Sequence, residues 1–121
     1  MRYWVFIAAV FAGLAVLLGA FAAHALKSTL SVEYLAVLQT AVQYQFIHAL
    51  ALLLVALFME RRAARALSLA AVFFTVGILL FCGSLYVLVL TPFKPGLITP
   101  VGGSLLVLGW ISLACSAWRK T

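Results

Sequence analysis

Four stretches of this chain, Tyr3–Leu26, Tyr34–Met59, Ala66–Phe93 and Pro95–Trp118, contain no Asp, Glu, Lys or Arg. Each is between 24 and 28 residues long, and together they take up 102 of the 121 residues. A helix needs about 20 mainly apolar residues to cross a hydrocarbon core of about 30 Å. The chain is therefore expected to be all-α, an integral membrane four-helix bundle in up-down-up-down order. Residues 1–121 then form a single transmembrane domain, with nothing left over for a soluble enzyme or a nucleic-acid module. The composition agrees, being 68% hydrophobic and only 8% charged, where an ordinary soluble domain is about 25% charged.

The net charge of +6 has a membrane meaning rather than a nucleic-acid one. The basic residues stand at the ends of the apolar runs and are not gathered on one polar surface, as a nucleic-acid binder requires. Counting crossings, Arg2, Arg61, Arg62, Arg65, Arg119 and Lys120 fall on one side, and Lys27 and Lys94 on the other. Short loops rich in Lys and Arg favour the cytoplasmic side. Both termini are expected there. Ala23-His24-Ala25 resembles a secretory cleavage site, but the apolar run before it exceeds signal-peptide length, so an uncleaved first helix is expected.

The helices are placed at about residues 4–24, 33–59, 67–90 and 99–118. Ser31 is a plausible N-cap, with Glu33 in the first turn where the helix dipole favours an anion. Thr91-Pro92 ends the third helix, because the residue before proline is pushed out of the α region. Pro95-Gly96 suits a type II turn, and Thr99-Pro100 reads as an N-cap with proline at the first helical position. Ala15, Gly19 and Ala23 recur every four residues on helix one and permit close packing. Tyr3, Trp4 and Trp118 suit the inner interface.

In a bilayer the polar residues are the informative ones, because an unpaired polar group in hydrocarbon costs several kcal/mol. At 1.5 Å per residue, His24 and Gln39 lie roughly 30 Å from the inner ends of their helices, and Gln43 about 6 Å deeper. Cys82, Ser84 and Tyr86 fall in the outer third of helix three. Thr99, Pro100, Gly102, Gly103 and Ser104 open helix four at the same level. The inner halves are almost wholly aliphatic and Phe. On helix two, Tyr34, Ala41, Tyr44, Gln45 and His48 share a face while Gln39 and Gln43 lie nearly opposite, which suggests a helix surrounded by others. His48 falls near the midplane, where an ionisable group is a functional hypothesis. The simpler reading is a neutral imidazole bonded to a hydroxyl or a backbone carbonyl.

Familiar chemical constellations are weak. His24 and His48 differ in depth by about 14 Å, no CxxC, HxxxH or HExxH spacing exists, and Glu33 and Glu60 stand at opposite ends of one helix. No metal, cofactor, disulfide or carboxylate pair is expected, and the chain reads as a non-enzyme. Ser84 or Ser104 with His24 can be drawn as nucleophile and base, and an intramembrane enzyme using His24 or His48 as base is the minor alternative. The N-terminus of helix four offers backbone N–H groups to a phosphate or carboxylate. The simpler reading has Thr99 as a cap and the glycines admitting helix one or three.

Four segments read together: Leu18 to His24, Gln39 to Ala51, Phe81 to Tyr86, and Thr99 to Gly103 with Gly109-Trp110. In order and spacing they resemble the bacterial membrane family called domain of unknown function 423, or UPF0382, related to the transmembrane-256-like proteins. The family pattern usually has glycine where Ala22 stands and serine where Cys82 stands; both exchanges keep a small side chain. The resemblance implies a small four-helix inner-membrane protein and brings no established substrate or cofactor. The candidate ligand-binding residues are His24, Gln39, Gln43, Tyr44, His48, Ser84, Tyr86, Thr99, Gly102 and Gly103. The expected function is a non-enzymatic bundle that binds a lipid headgroup, a small ligand or a membrane partner through the outer polar layer. The alternative is a small transporter or channel component acting as a homo-oligomer.

Overall fold

The computed structural model describes residues 2–118, so Arg119 and Lys120 lie outside the described residues. Helix α1 spans Arg2–His24, α2 Val32–Arg61, α3 Arg65–Leu90 and α4 Ile98–Trp118, all four long and apolar enough to cross a membrane. Consecutive helices run antiparallel. One end of the molecule carries the Arg61–Arg65 connection, the other the Thr99 region.

Local chemistry sets most of the ends. Ser31 caps α2, its hydroxyl accepting from the Tyr34 N–H at 3.1 Å. At the far end α2 runs to Arg61, two residues past the expected stop, because Glu60 and Arg61 are good helix formers. Arg62 then turns extended. Gly96 takes φ 60°, a left-handed conformation that glycine adopts without steric cost. The turn closes from the Ile98 N–H to the Pro95 carbonyl at 3.3 Å, so glycine is its second residue and not the third, as the expected type II turn requires. Helix α4 starts at Ile98, one residue earlier than expected, so Thr99 lies inside its first turn and does not cap it. The Thr99 hydroxyl is spent on α3 instead.

Helix α3 carries a feature the sequence did not suggest. Residues Ile78–Cys82 form a π turn between two α segments, Arg65–Gly77 and Gly83–Leu90. Such single wide turns are often found at functional sites. The Ser84 hydroxyl donates to the Phe81 carbonyl at 2.8 Å within this segment.

Packing is sequential: α1 lies on α2, α2 on α3, and α4 on α3. The main core gathers Leu52 and Val55 of α2, Leu67, Phe74 and Ile78 of α3, and Leu106 of α4. Helix α1 buries Ala8, Ala15 and Ala22, Ala8 in this core and Ala22 in a second cluster with Leu38 and Val89, a seven-residue repeat that keeps one seam against α2 at the shallow crossing usual in bundles. Gly19 joins them, with Val42 3.3 Å from where a side chain would begin. Ala23 is exposed, so the expected Ala15, Gly19 and Ala23 stripe is displaced onto the heptad. Helix α2 is also less enclosed than expected, since Gln39 and Gln43 face outward. Large apolar side chains such as Leu17, Leu54 and Val107 are more than half exposed, which suits lipid rather than water.

One buried polar atom has no partner among the described residues: the Thr75 hydroxyl on α3. Thr75→Val keeps the shape and removes the unsatisfied group, whose burial costs about 1–3 kcal/mol. The variant is expected to unfold at a higher temperature than the parent protein in detergent.

Candidate functional site

Helices α3 and α4 meet as an antiparallel zipper of large against small. A side chain at Gly109 would strike the Phe74 ring at 2.6 Å, and one at Gly77 would strike Leu106 at 2.6 Å. At Gly102 a Cβ would lie 2.3 Å from the Phe81 amide nitrogen. The next pair along is Ser84 with Thr99, their hydroxyls 2.5 Å apart. Each step along α3 from Phe74 to Gly77, Phe81 and Ser84 is matched by an equal step back along α4. The π turn is therefore held against Gly102, and α4 is tied to α3 along its whole first half.

The next polar link runs the other way across the bundle. Gln45 is buried on α2, its amide nitrogen donating to the Phe11 carbonyl of α1 at 2.7 Å. Its amide oxygen accepts from the Tyr86 hydroxyl of α3 at 2.5 Å. A carbonyl can only accept and a phenol bonded to an amide oxygen must donate, so the two partners fix the orientation of the amide. Three helices are joined by one side chain.

His48 makes the third link. The indole N–H of Trp110 on α4 donates to His48 Nε2 at 3.0 Å. Indole nitrogen is a donor only, so Nε2 carries the lone pair and the ring proton is on Nδ1. That proton goes to the Tyr44 carbonyl, 2.8 Å away on the same helix. His48 is thus a neutral imidazole with both nitrogens committed, which is the simpler of the two expectations. Rings close around it: Tyr44 stacks on His48 at 5.8 Å, and Trp110 meets Phe74 edge-on at 5.1 Å.

Because α4 packs on α3 and α1 on α2, helices α2 and α4 stand apart and are joined mainly through His48 and Trp110. Above that bridge, toward the Thr99 end, an open groove of about 580 Å³ runs between them. Gln43, Tyr44 and His48 line one wall, and Gly103, Leu106 and Trp110 the other. Neither the Gln43 amide nor the Tyr44 hydroxyl has a hydrogen-bond partner among the described residues, and both residues are exposed. The groove is apolar in the floor and polar at the rim, as a site for an amphiphile should be.

The ten expected site residues divide three ways. Gln43, Tyr44, His48 and Gly103 come together in the groove. Ser84, Tyr86, Thr99 and Gly102 are used in packing between helices. His24 and Gln39 are exposed and stand outside the groove. The single outer layer is thus a series of cross-links at successive depths with a separate exposed rim. Two central residues, Gln45 and Trp110, were not among the ten. Both carried a signal: Gln45 shares a helical face with His48, and an indole N–H in mid-span needs an acceptor.

A family model described as a protein of unknown function (DUF423) matches residues 18–103, and these include every one of the ten. The chain belongs to this family. It is 39% identical over 120 residues to the UPF0382 membrane protein SAB0533 of Staphylococcus aureus, covering 98% of each chain. It is 39% identical over 119 residues to the UPF0382 membrane protein YwdK of Bacillus subtilis, covering 97% of each. The UPF0382 inner membrane protein YgdD of Escherichia coli K12 is 37% identical over 119 residues, with 98% of this chain and 91% of that one covered. No solved structure matches the chain. Family membership accords with the four apolar helices and makes this a small integral membrane protein.

Proposed function

We propose that this protein is a non-enzymatic membrane module that takes the chain of a lipid or similar amphiphile between α2 and α4. The observation that carries the reading is the groove of about 580 Å³ with an unpaired amide and phenol at its rim. Gln43 and Tyr44 offer hydrogen bonds to the polar end, while Leu106, Val107 and Ile47 accept the apolar one. His48 braces the groove and does no acid–base chemistry, because both its nitrogens are engaged. Lateral entry needs no aqueous path, so this reading fits a four-helix unit better than a pore does.

Gln43→Leu removes the rim amide without touching the cross-links. It is expected to insert and fold normally and to lose most of the amphiphile that stays with the parent protein in native mass spectrometry after mild detergent extraction. Undiminished retention by Gln43→Leu would count against the site. Ser84→Leu is expected to lose stability instead, since Ser84 is buried against Thr99.

We also propose that both termini face the cytoplasm. Arg2, Arg61, Arg62 and Arg65 lie at one end of the helices, and Lys27 and Lys94 at the other, in accord with the positive-inside tendency. A cysteine placed at Ala63 should resist an impermeant thiol reagent in intact cells, and one at Ser28 should react. The reverse pattern would invert the topology.

A further inference from the structure

Below the His48–Trp110 bridge the same two helices part again, and here the chemistry is different. A crevice of about 500 Å³ opens toward the arginine end. Phe58, Leu67, Leu113 and Ala114 make its walls, and Arg61 and Arg62 stand among the lining residues. Arg62 donates to the Ser116 carbonyl in the last turn of α4, which satisfies one of the carbonyls a helix end leaves open. A guanidinium has five N–H donors, so most of Arg62 remains to be used, and Arg61 is exposed. The only two carboxylate side chains of the protein are Glu33 and Glu60, and neither lines the crevice.

We propose that this crevice binds an anionic phospholipid, with an acyl chain in the slot and the headgroup phosphate on Arg61 and Arg62. Two guanidiniums beside an apolar slot at the end of the transmembrane helices match an anionic amphiphile in both charge and shape. Planar guanidinium pairs with phosphate through two parallel hydrogen bonds, which an ammonium cannot do. With no carboxylate among the described lining residues, the two charges select the anionic lipid over a zwitterionic one. Apart from Trp110 the residues are distinct from those of the upper groove, so the two sites stand or fall separately.

Trp110 borders the slot and can report on it once Trp4→Phe and Trp118→Phe have removed the other indoles. The full chain in vesicles is titrated with bromine-labelled phosphatidylglycerol or phosphatidylcholine at equal mole fraction. Quenching of Trp110 should favour phosphatidylglycerol severalfold, and Arg61→Gln should reduce that preference roughly fivefold, the worth of one cation near an anionic surface. Ala114→Phe fills the slot but keeps both charges, and should remove the preference too. Arg2→Gln, at the same end on α1, and Gln43→Leu, in the upper groove, should leave it intact. Equal quenching by the two lipids, survival of the preference in Arg61→Gln or Ala114→Phe, or an equal loss in Arg2→Gln would overturn the proposal.

Discussion

Gly102→Ala is expected to be the most damaging single-methyl change in this protein. The added carbon would fall 2.3 Å from the Phe81 nitrogen, 2.7 Å from its Cα and 2.8 Å from the Leu80 carbonyl carbon. All three are backbone atoms, so no side chain can swing away and α3 and α4 must separate. Overpacking of a filled core costs about 1–3 kcal/mol and at times more, and this position should lie at or above the top of that range. The Ser84–Thr99 bond, one step further along the same interface, should be lost with it. Gly83→Ala is the control, because nothing lies within 4 Å of the new carbon. Alanine is favoured over glycine in a helix by about 1 kcal/mol, so that variant should gain stability. Thermal unfolding in detergent reads both; equal effects at Gly102 and Gly83 would contradict the zipper.

Gln45→Leu should come next in size. It conserves volume but removes the bonds to Phe11 and Tyr86, and leaves a phenol inside the bundle with no acceptor. Hydrogen bonds between membrane helices average about 0.6 kcal/mol and reach about 1.7, and a stranded buried hydroxyl adds about 1–3 kcal/mol. A total loss of about 2–3 kcal/mol is expected. Tyr86→Phe alone should cost about 1 kcal/mol. The double variant should be no worse than Gln45→Leu, because the stranded group is gone. Simple additivity in that cycle would mean that the two side chains do not interact.

The span limits and the antiparallel order were legible because charge and proline mark the ends of membrane helices. Ser31 and Gly96 act as their residue types require. The Thr99 start was missed by one residue, since its hydroxyl has a better partner in Ser84 than in its own helix. The π turn at Ile78–Cys82 has no residue signature: Ile-Leu-Leu-Phe-Cys would continue an α-helix equally well, and only the fold shows that this turn is where the α3 backbone lies close against Gly102. Depth alone put Ser84, Tyr86 and Gln43 in one layer. It could not tell that the first two point inward to partners while the third faces outward. The gap between α2 and α4 was also beyond reach, because it follows from which neighbour each helix chooses and not from any one helix.

The decisive measurement is nuclear magnetic resonance of the labelled protein in lipid nanodiscs, with contacts read from lipid acyl protons to protein methyls. Leu106 is only 3% exposed yet lines the groove, whereas Leu108 is 41% exposed on the surface of α4. A chain lodged between α2 and α4 should give persistent lipid contacts to the buried Leu106, weakened in Gln43→Leu. Lipid contacts confined to Leu108 and other outer residues, or contacts from Leu106 and Trp110 to a second copy of the protein in a mixed-label sample, would contradict the amphiphile groove.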